Sequence, residues 1–264
     1  MSAEELLRAG QLREALAELQ NQVRREPAAA RHRIFLFQLL CVTGQWDRAM
    51  TQLNVAAELD LDSRLMAQVY RPALNCEALR AEVFAGGRLP VVFGDPADWV
   101  TWMIEANRLT AQGHAKAAED LRARALESAP AVPGRIDGRA FEWLGDADAR
   151  LGPILEIIIN GQYFWVPGQN VREIKIEAPA DLRDAVWLPL TCTWTNGGTA
   201  VGLMPARYPG SENSADGLIQ LARKTEWADN GRGVTVGLGQ RMLATDQGEY
   251  ALLETRQILF QHVP

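Results

Sequence analysis

At 264 residues the chain can bury one large core or two modest ones. A net charge of −6 offers no broad basic face to phosphate, which argues against general nucleic-acid binding and leaves only a local basic groove open. No apolar run approaches the roughly 20 residues of a membrane span, and Met1-Ser2-Ala3-Glu4-Glu5 lacks the apolar core of a signal peptide, so no membrane association is expected.

The chain opens on Ser2 and Glu5, the spacing of a capping box, so a short helix is expected to about Ala9. The next helix carries Leu12, Ala15, Leu16, Leu19 and Val23 on one stripe and is stopped by Pro27. The same grammar returns with Ile34, Leu36, Phe37, Leu40 and Cys41, then Gly44, then Trp46, Ala49, Met50, Leu53 and Ala57. Gly10-Gln11-Leu12 with Ala15 recurs 34 residues later as Gly44-Gln45-Trp46 with Ala49. A longer helix is expected from Asp62 to Ala85, ended by Gly86-Gly87 and Pro90. Asp95 and Pro96 suit the cap and first position of a further helix bearing Trp99, Met103 and Ala106. Gly113 opens a third copy with Ala118, and Pro130 closes it at the offset that separates Pro27 from Gly10.

A period of 34 residues is that of the tetratricopeptide helical hairpin. Such hairpins cannot bury their apolar faces singly, so they stack and present a surface suited to binding other proteins. Trp46, Ala49 and Ala118 are expected inside helix–helix contacts, because close approach of helices requires small residues in register.

From Ala129-Pro130-Ala131-Val132-Pro133-Gly134 onward the pattern changes. Asp137-Gly138, Asn160-Gly161, Asn196-Gly197 and Asn230-Gly231 punctuate short apolar runs, the signature of tight hairpins. Strands are expected over 154–159 and 162–166 around Asn160-Gly161, over 171–176, over 187–195 paired with 199–205, and over 234–244 and 253–260, with a short helix over 215–223. The fold class is therefore α+β: a tetratricopeptide-like helical repeat array over residues 1–129, then a smaller, mostly antiparallel β-rich domain over 134–264.

Chemistry-bearing motifs are sparse. His32, His114 and His262 have no partners at metal-ligand spacing, and no nucleophile elbow, P-loop or dinucleotide fingerprint occurs. No catalytic residue, cofactor or metal is expected. Cys41, Cys76 and Cys192 lack pairwise spacing, and Cys41 and Cys76 sit in apolar helical context, a usage that suits a reducing cytoplasm. Asp146-Ala147-Asp148-Ala149-Arg150, beside Trp143, pairs two carboxylates that either do acid–base or cation chemistry or pair internally. Arg207-Tyr208-Pro209-Gly210-Ser211-Glu212 is either a recognition loop, with Arg207, Tyr208 and Glu212 as protein-binding residues, or a turn in which Arg207 pairs with Glu212.

These stretches, together with Cys76-Glu77-Ala78-Leu79-Arg80, Val92-Phe93-Gly94, Trp165-Val166-Pro167, Asp181-Leu182-Arg183-Asp184 and Leu238-Gly239-Gln240-Arg241-Met242-Leu243, resemble the ImpE family, also called TagJ or SciE-like, over nearly the whole chain. The resemblance implies an accessory component of a bacterial type VI secretion system, cytoplasmic and without catalytic residues. It also implies binding of the N-terminal amphipathic helix of the small contractile-sheath subunit and a link to the ATPase that recycles the sheath. Two other functions compete with it. An enzyme in the β-rich domain would bring Asp146, Asp148 or Arg207 together in a deep pocket, whereas their dispersal as internal salt bridges favours the adaptor. A general chaperone would bind many unrelated apolar peptides.

Overall fold

The computed structural model describes residues 1–262. Ser2 and Glu5 form the expected capping box at the start of α1 (Ala3–Arg8). It pairs with α2 (Leu12–Arg25); α3 (Ala30–Val42) pairs with α4 (Trp46–Leu59); α5 (Leu61–Phe84) is long and packs along α4; α6 (Asp98–Ala111) pairs with α7 (Ala115–Ser128). The repeated glycine of each hairpin has a structural reason. Gly10, Gly44 and Gly113 take φ of 73°, 67° and 82°, the left-handed region that favours glycine. Each closes the first helix of its hairpin with two reversed hydrogen bonds, as where Gly10 N donates to Leu7 O and Gln11 N to Leu6 O. The alanines in register, Ala15, Ala49 and Ala118, are fully buried between helices. Trp46 is half-buried and meets the sheet, its ring 6.1 Å from that of Trp187.

The long helix expected over residues 62–85 is α5, with one feature the sequence reading did not weigh, and the cap of the next helix differs from that reading. Pro72 lies inside α5, where its ring packs on the Asn160-Gly161 turn: a Cβ added at Gly161 would stand 2.7 Å from Pro72 Cβ. Helix α6 starts at Asp98 with Ala97 as an N-cap that makes no side-chain bond, so Asp95 does not cap it. The chain is still tied to the sheet just before, because Phe93 N donates to Trp165 O at 2.9 Å and Asn170 Nδ2 to Phe93 O at 2.9 Å. Asp95-Pro96 therefore serves the crossing from sheet to helix.

The strands are β1 (Val91–Val92), β2 (Gly134–Ile136), β3 (Arg139–Phe141), β4 (Leu144–Asp146), β5 (Ile154–Ile159), β6 (Gln162–Pro167) and β7 (Val171–Ile176). There follow β8 (Trp187–Trp194), β9 (Thr199–Pro205), a one-turn helix α8 (Gly217–Gln220), β10 (Thr225–Asp229), β11 (Thr235–Gly239), β12 (Met242–Thr245), β13 (Gly248–Ala251) and β14 (Gln257–Phe260). Nine of them form one sheet in the order β1-β6-β5-β9-β8-β7-β14-β2-β3, antiparallel except where β1 joins β6. Strands β13, β12 and β4 make a second sheet, and β10 with β11 a separate hairpin arm. Asp137-Gly138 and Asn160-Gly161 put both central residues at positive φ, as tight hairpins require. At Asn196-Gly197 and Asn230-Gly231 only the glycine does, and these turns are wider. The strand expected over 234–244 breaks at Gln240-Arg241, where Arg241 turns inward.

Alternation along β5 sets the layering. Ile154 and Ile158 face the helices and join their core, while Leu155, Ile157 and Ile159 join a second core on the other face. The sheet curls around that second core, since Phe93 and Phe164 from one edge and Ile136 and Phe141 from the other all belong to it. The first core is shared by helices and sheet: Phe37, Leu53, Tyr70 and Val100 lie in one cluster with Tyr163, Trp165, Trp187 and Leu203. An aromatic seam crosses it, with Tyr70 5.8 Å from Trp187 and Phe84 6.0 Å from Trp165.

Candidate functional site

Three groups of residues stand out: a buried ionic network, a set of arginines on the repeat turns, and an exposed apolar stripe.

The network begins with the one charged residue in the isoleucine run of β5. Glu156 faces the helices and is fully buried. Arg80 of α5 meets it through Nε at 2.7 Å and Nη2 at 3.0 Å, Arg241 stands 3.2 Å away, and the Tyr163 hydroxyl donates to it. Burial by itself would raise the Glu156 carboxyl, but the Arg80 and Arg241 guanidiniums outweigh it and hold the group at about 2. Arg241 also donates twice to Asp146, at 2.8 and 2.7 Å. Asp146 accepts the backbone N–H of Asp148, whose carboxylate binds Arg150 at 2.6 Å and the N–H of Gly237 at 3.0 Å. On the helical side Glu77 accepts from Trp187 Nε1 at 2.7 Å; burial pushes its carboxyl up against the opposing pull of Arg80. Three cations, Arg80, Arg150 and Arg241, thus face four carboxylates, Glu77, Asp146, Asp148 and Glu156. The carboxylate oxygens of Asp146 and Asp148 are all engaged by donors, which is the internal pairing expected of a scaffold. A cleft of about 590 Å³ opens beside Asp146, but its walls are mainly apolar (Trp99, Leu126, Trp143, Phe260), and the Asp146 side chain is closed to solvent. Among the described residues no group of His, Cys, Asp and Glu has a metal-binding arrangement.

The sequence loop Arg207 to Glu212 lies against the repeats. Arg207 is 3% exposed and Tyr208 0%, so their side chains face inward. Arg207 donates to Cys41 O at 2.9 Å and Val42 O at 2.6 Å, the last carbonyls of α3, and to Gln220 O. Burial alone lowers its basicity, which Glu212 and Glu77 oppose. The Tyr208 hydroxyl exchanges bonds with the Met242 backbone. Glu212 packs on Gly44, where an added Cβ would sit 2.6 Å from Glu212 Cγ. Neighbouring residues repeat the pattern. Arg223 donates to Leu7 O at 3.0 Å and Arg8 O at 3.3 Å, the end of α1, and Arg232 to Ala111 O at 2.7 Å, the end of α6. The first helix of every hairpin therefore has an arginine from the segment 207–232 on its carbonyl end, where the last carbonyls have acceptor capacity left and the helix dipole is negative.

The stripe lies on α5. Leu61, Leu65 and Val69 are 71%, 67% and 51% exposed, and Val201 of β9 is 73% exposed. A groove of about 450 Å³ connects Val69 and Pro72 to Val201, Pro189 and Leu190 across the helix–sheet junction. Leucines and valine at four-residue spacing on an exposed helix face form a surface that a second helix can cover.

These features define a class: a helical-repeat protein whose turns are clasped by its own β-rich half, with one helix face left apolar and open. The ImpE protein model matches residues 138–259 and a tetratricopeptide repeat model residues 6–70. The chain belongs to the ImpE family. The type VI secretion system accessory component TagJ of Pseudomonas aeruginosa is 54% identical over 261 residues, covering 99% of this chain and 92% of that protein. The crystal structure of a Vibrio parahaemolyticus protein shares the fold, with a TM-score of 0.87 at 23% identity over 99% of this chain and 98% of that one.

The sequence reading missed the network and the stripe. A signal for the first was present: a lone Glu156 inside Ile154–Ile159 needs a buried partner. For the second, apolar residues run around α5 on more than one face, beyond what one buried side requires.

Proposed function

We propose that this protein is a non-enzymatic accessory component of a type VI secretion system that binds the amphipathic N-terminal helix of the small sheath subunit. The similarity to TagJ supports the system. The observation that carries the binding mode is the exposed stripe Leu61, Leu65 and Val69 on α5, an apolar helix face that meets the groove at Val69 and that the other described residues leave uncovered. The Arg207–Glu212 loop serves this reading indirectly. Arg207 holds the end of α3, Tyr208 bonds within the β-rich half, and only Glu212 of the three lies outside the buried set. The internal pairing of Asp146 and Asp148 favours the adaptor over a catalyst.

Titration of the sheath N-terminal peptide into the full chain tests this. Binding near micromolar, about −8 kcal/mol, is expected of an adaptor that must release its partner. Leu65→Asp, at an exposed position, should weaken it at least tenfold without changing the melting midpoint, because a central apolar anchor carries much of such an interface. Glu212→Ala should leave affinity unchanged. Absence of binding, or a Leu65→Asp variant that binds like the parent, would refute the assignment.

A further inference from the structure

We propose that the α5 groove selects a helix whose two polar edges carry opposite charge, basic along one and acidic along the other, and so fixes the direction in which that helix lies. This rests on the helix-binding reading above and names the partner chemistry of the same site.

At 100° per residue, Leu61, Leu65 and Val69 fall within an arc of roughly 80° on α5. Arg64 and Arg71 bound that arc on the side of α4. Arg64 Nε donates to Ala57 O at 3.1 Å and Arg71 Nε to Asn54 Oδ1 at 2.7 Å, so both lean onto α4. Both acceptors are neutral, and neither guanidinium has a carboxylate partner among the described residues. Asp62 bounds the arc on the opposite side, toward the sheet. Farther along that side Glu177 stands on the groove wall with Pro189 and Val201. Asp62 and Glu177 are exposed and have no ion-pair partner among the described residues. The other charged pair on the sheet side, Arg183 with Asp181, is internally matched, and Arg183 lies over the Tyr70 ring. Asp60, at the start of the helix, is occupied as its N-cap, accepting from Ser63 at 2.8 Å.

The apolar floor is thus flanked by a basic rim on α4's side and an acidic rim on the sheet's side. A docked helix is about 10 Å across with its side chains, so its two edges reach both rims. Flanking charges choose partner and direction in paired helices, because a like charge set opposite costs binding. A helix with one acidic and one basic edge satisfies both rims in one direction only.

Three synthetic helical peptides sharing one leucine face and differing only in their edges, Lys/Glu, Lys/Lys and Glu/Glu, provide the probes. Titrated into the full chain at low salt, the Lys/Glu peptide should bind about tenfold tighter than the other two, the effect of two or three exposed ion pairs gained in place of repulsion. The difference should vanish near 1 M salt, where the screening length is about 3 Å. The double variant Asp62→Lys with Glu177→Lys makes both rims basic and should prefer the Glu/Glu peptide; both positions are exposed, and circular dichroism checks the fold. Equal affinity for the three peptides, or an unchanged ranking in the double variant, would overturn the charge selection while leaving helix binding in place. Failure of all three and of the sheath peptide alike would overturn both readings.

Discussion

Glu156 shows how one residue can tie a fold together. A carboxylate in a strand of isoleucines costs several kcal/mol of desolvation unless it is paired and hydrogen-bonded. Here Arg80 reaches it from a helix and Arg241 from the loop between β11 and β12, so helix, sheet and loop meet at one side chain. Glu156→Gln should leave both guanidiniums short of negative charge and destabilise by roughly 3–5 kcal/mol, read from denaturant midpoints. The pH dependence has a definite sign. The folded carboxyl is depressed from 4.5 to about 2, so its contribution is present above pH 4.5 and is lost as pH falls toward 2. The parent should lose stability through that window, and Glu156→Gln should lack that share of the loss; parallel profiles for the two proteins would contradict the assignment. Residue-level reading of the sequence located Asp146 and Asp148 but not their partner Arg241. Nothing in local spacing joins positions 95 residues apart.

Among the elements, the periodic ones were the most legible. The seven helices before residue 129 follow from apolar stripes, helix-ending glycines and proline stops, because each of those signals acts within a few residues. The tight hairpin at Asn160-Gly161 followed from turn chemistry alone. Short elements were missed for a physical reason. Strand β1 is two residues long and exists because β6 offers it an edge, and β10 is held by its pairing with β11, so neither carries its own pattern. The break of the expected 234–244 strand has the same origin, since Arg241 is pulled inward by acids distant in sequence. The elements also depend on one another through their ends. Arg207→Ala would strip the carbonyls of Val42 and Gln220 of their donor inside the protein and that of Cys41 of one of two. A loss of roughly 2–4 kcal/mol in chemical denaturation is expected, against a few tenths for Arg24→Ala on the exposed face of α2. Similar midpoints for the two variants would show that Arg207 is not a latch.

At the scale of the whole molecule, the change of pattern near residue 130 marks where helices give way to strands, yet the main core ignores that line. Tyr70 and Trp46 meet Trp187, Phe84 meets Trp165, and Arg80 meets Glu156 across it. Sequence composition reports local structure and is blind to which faces are later buried together. Residues 1–129 and 134–264, expressed apart, are therefore each expected to expose large aromatics and to lack a cooperative melt, whereas the two co-expressed should recover one. A sharp transition in either fragment alone would show separable domains.

The arginines on the repeat turns have a consequence for how this architecture can vary. Open solenoids lengthen freely, since a new hairpin only needs a neighbour to stack on. In this chain the ends of α1, α3 and α6 are held by Arg223, Arg207 and Arg232, three positions on one short stretch of backbone. An extra hairpin between the first and last would push the turns apart by a helix spacing of about 8–10 Å, beyond the give of an arginine side chain. Duplication, the usual route by which repeat proteins diversify, is closed to this array, which leaves substitution at existing positions as its means of variation.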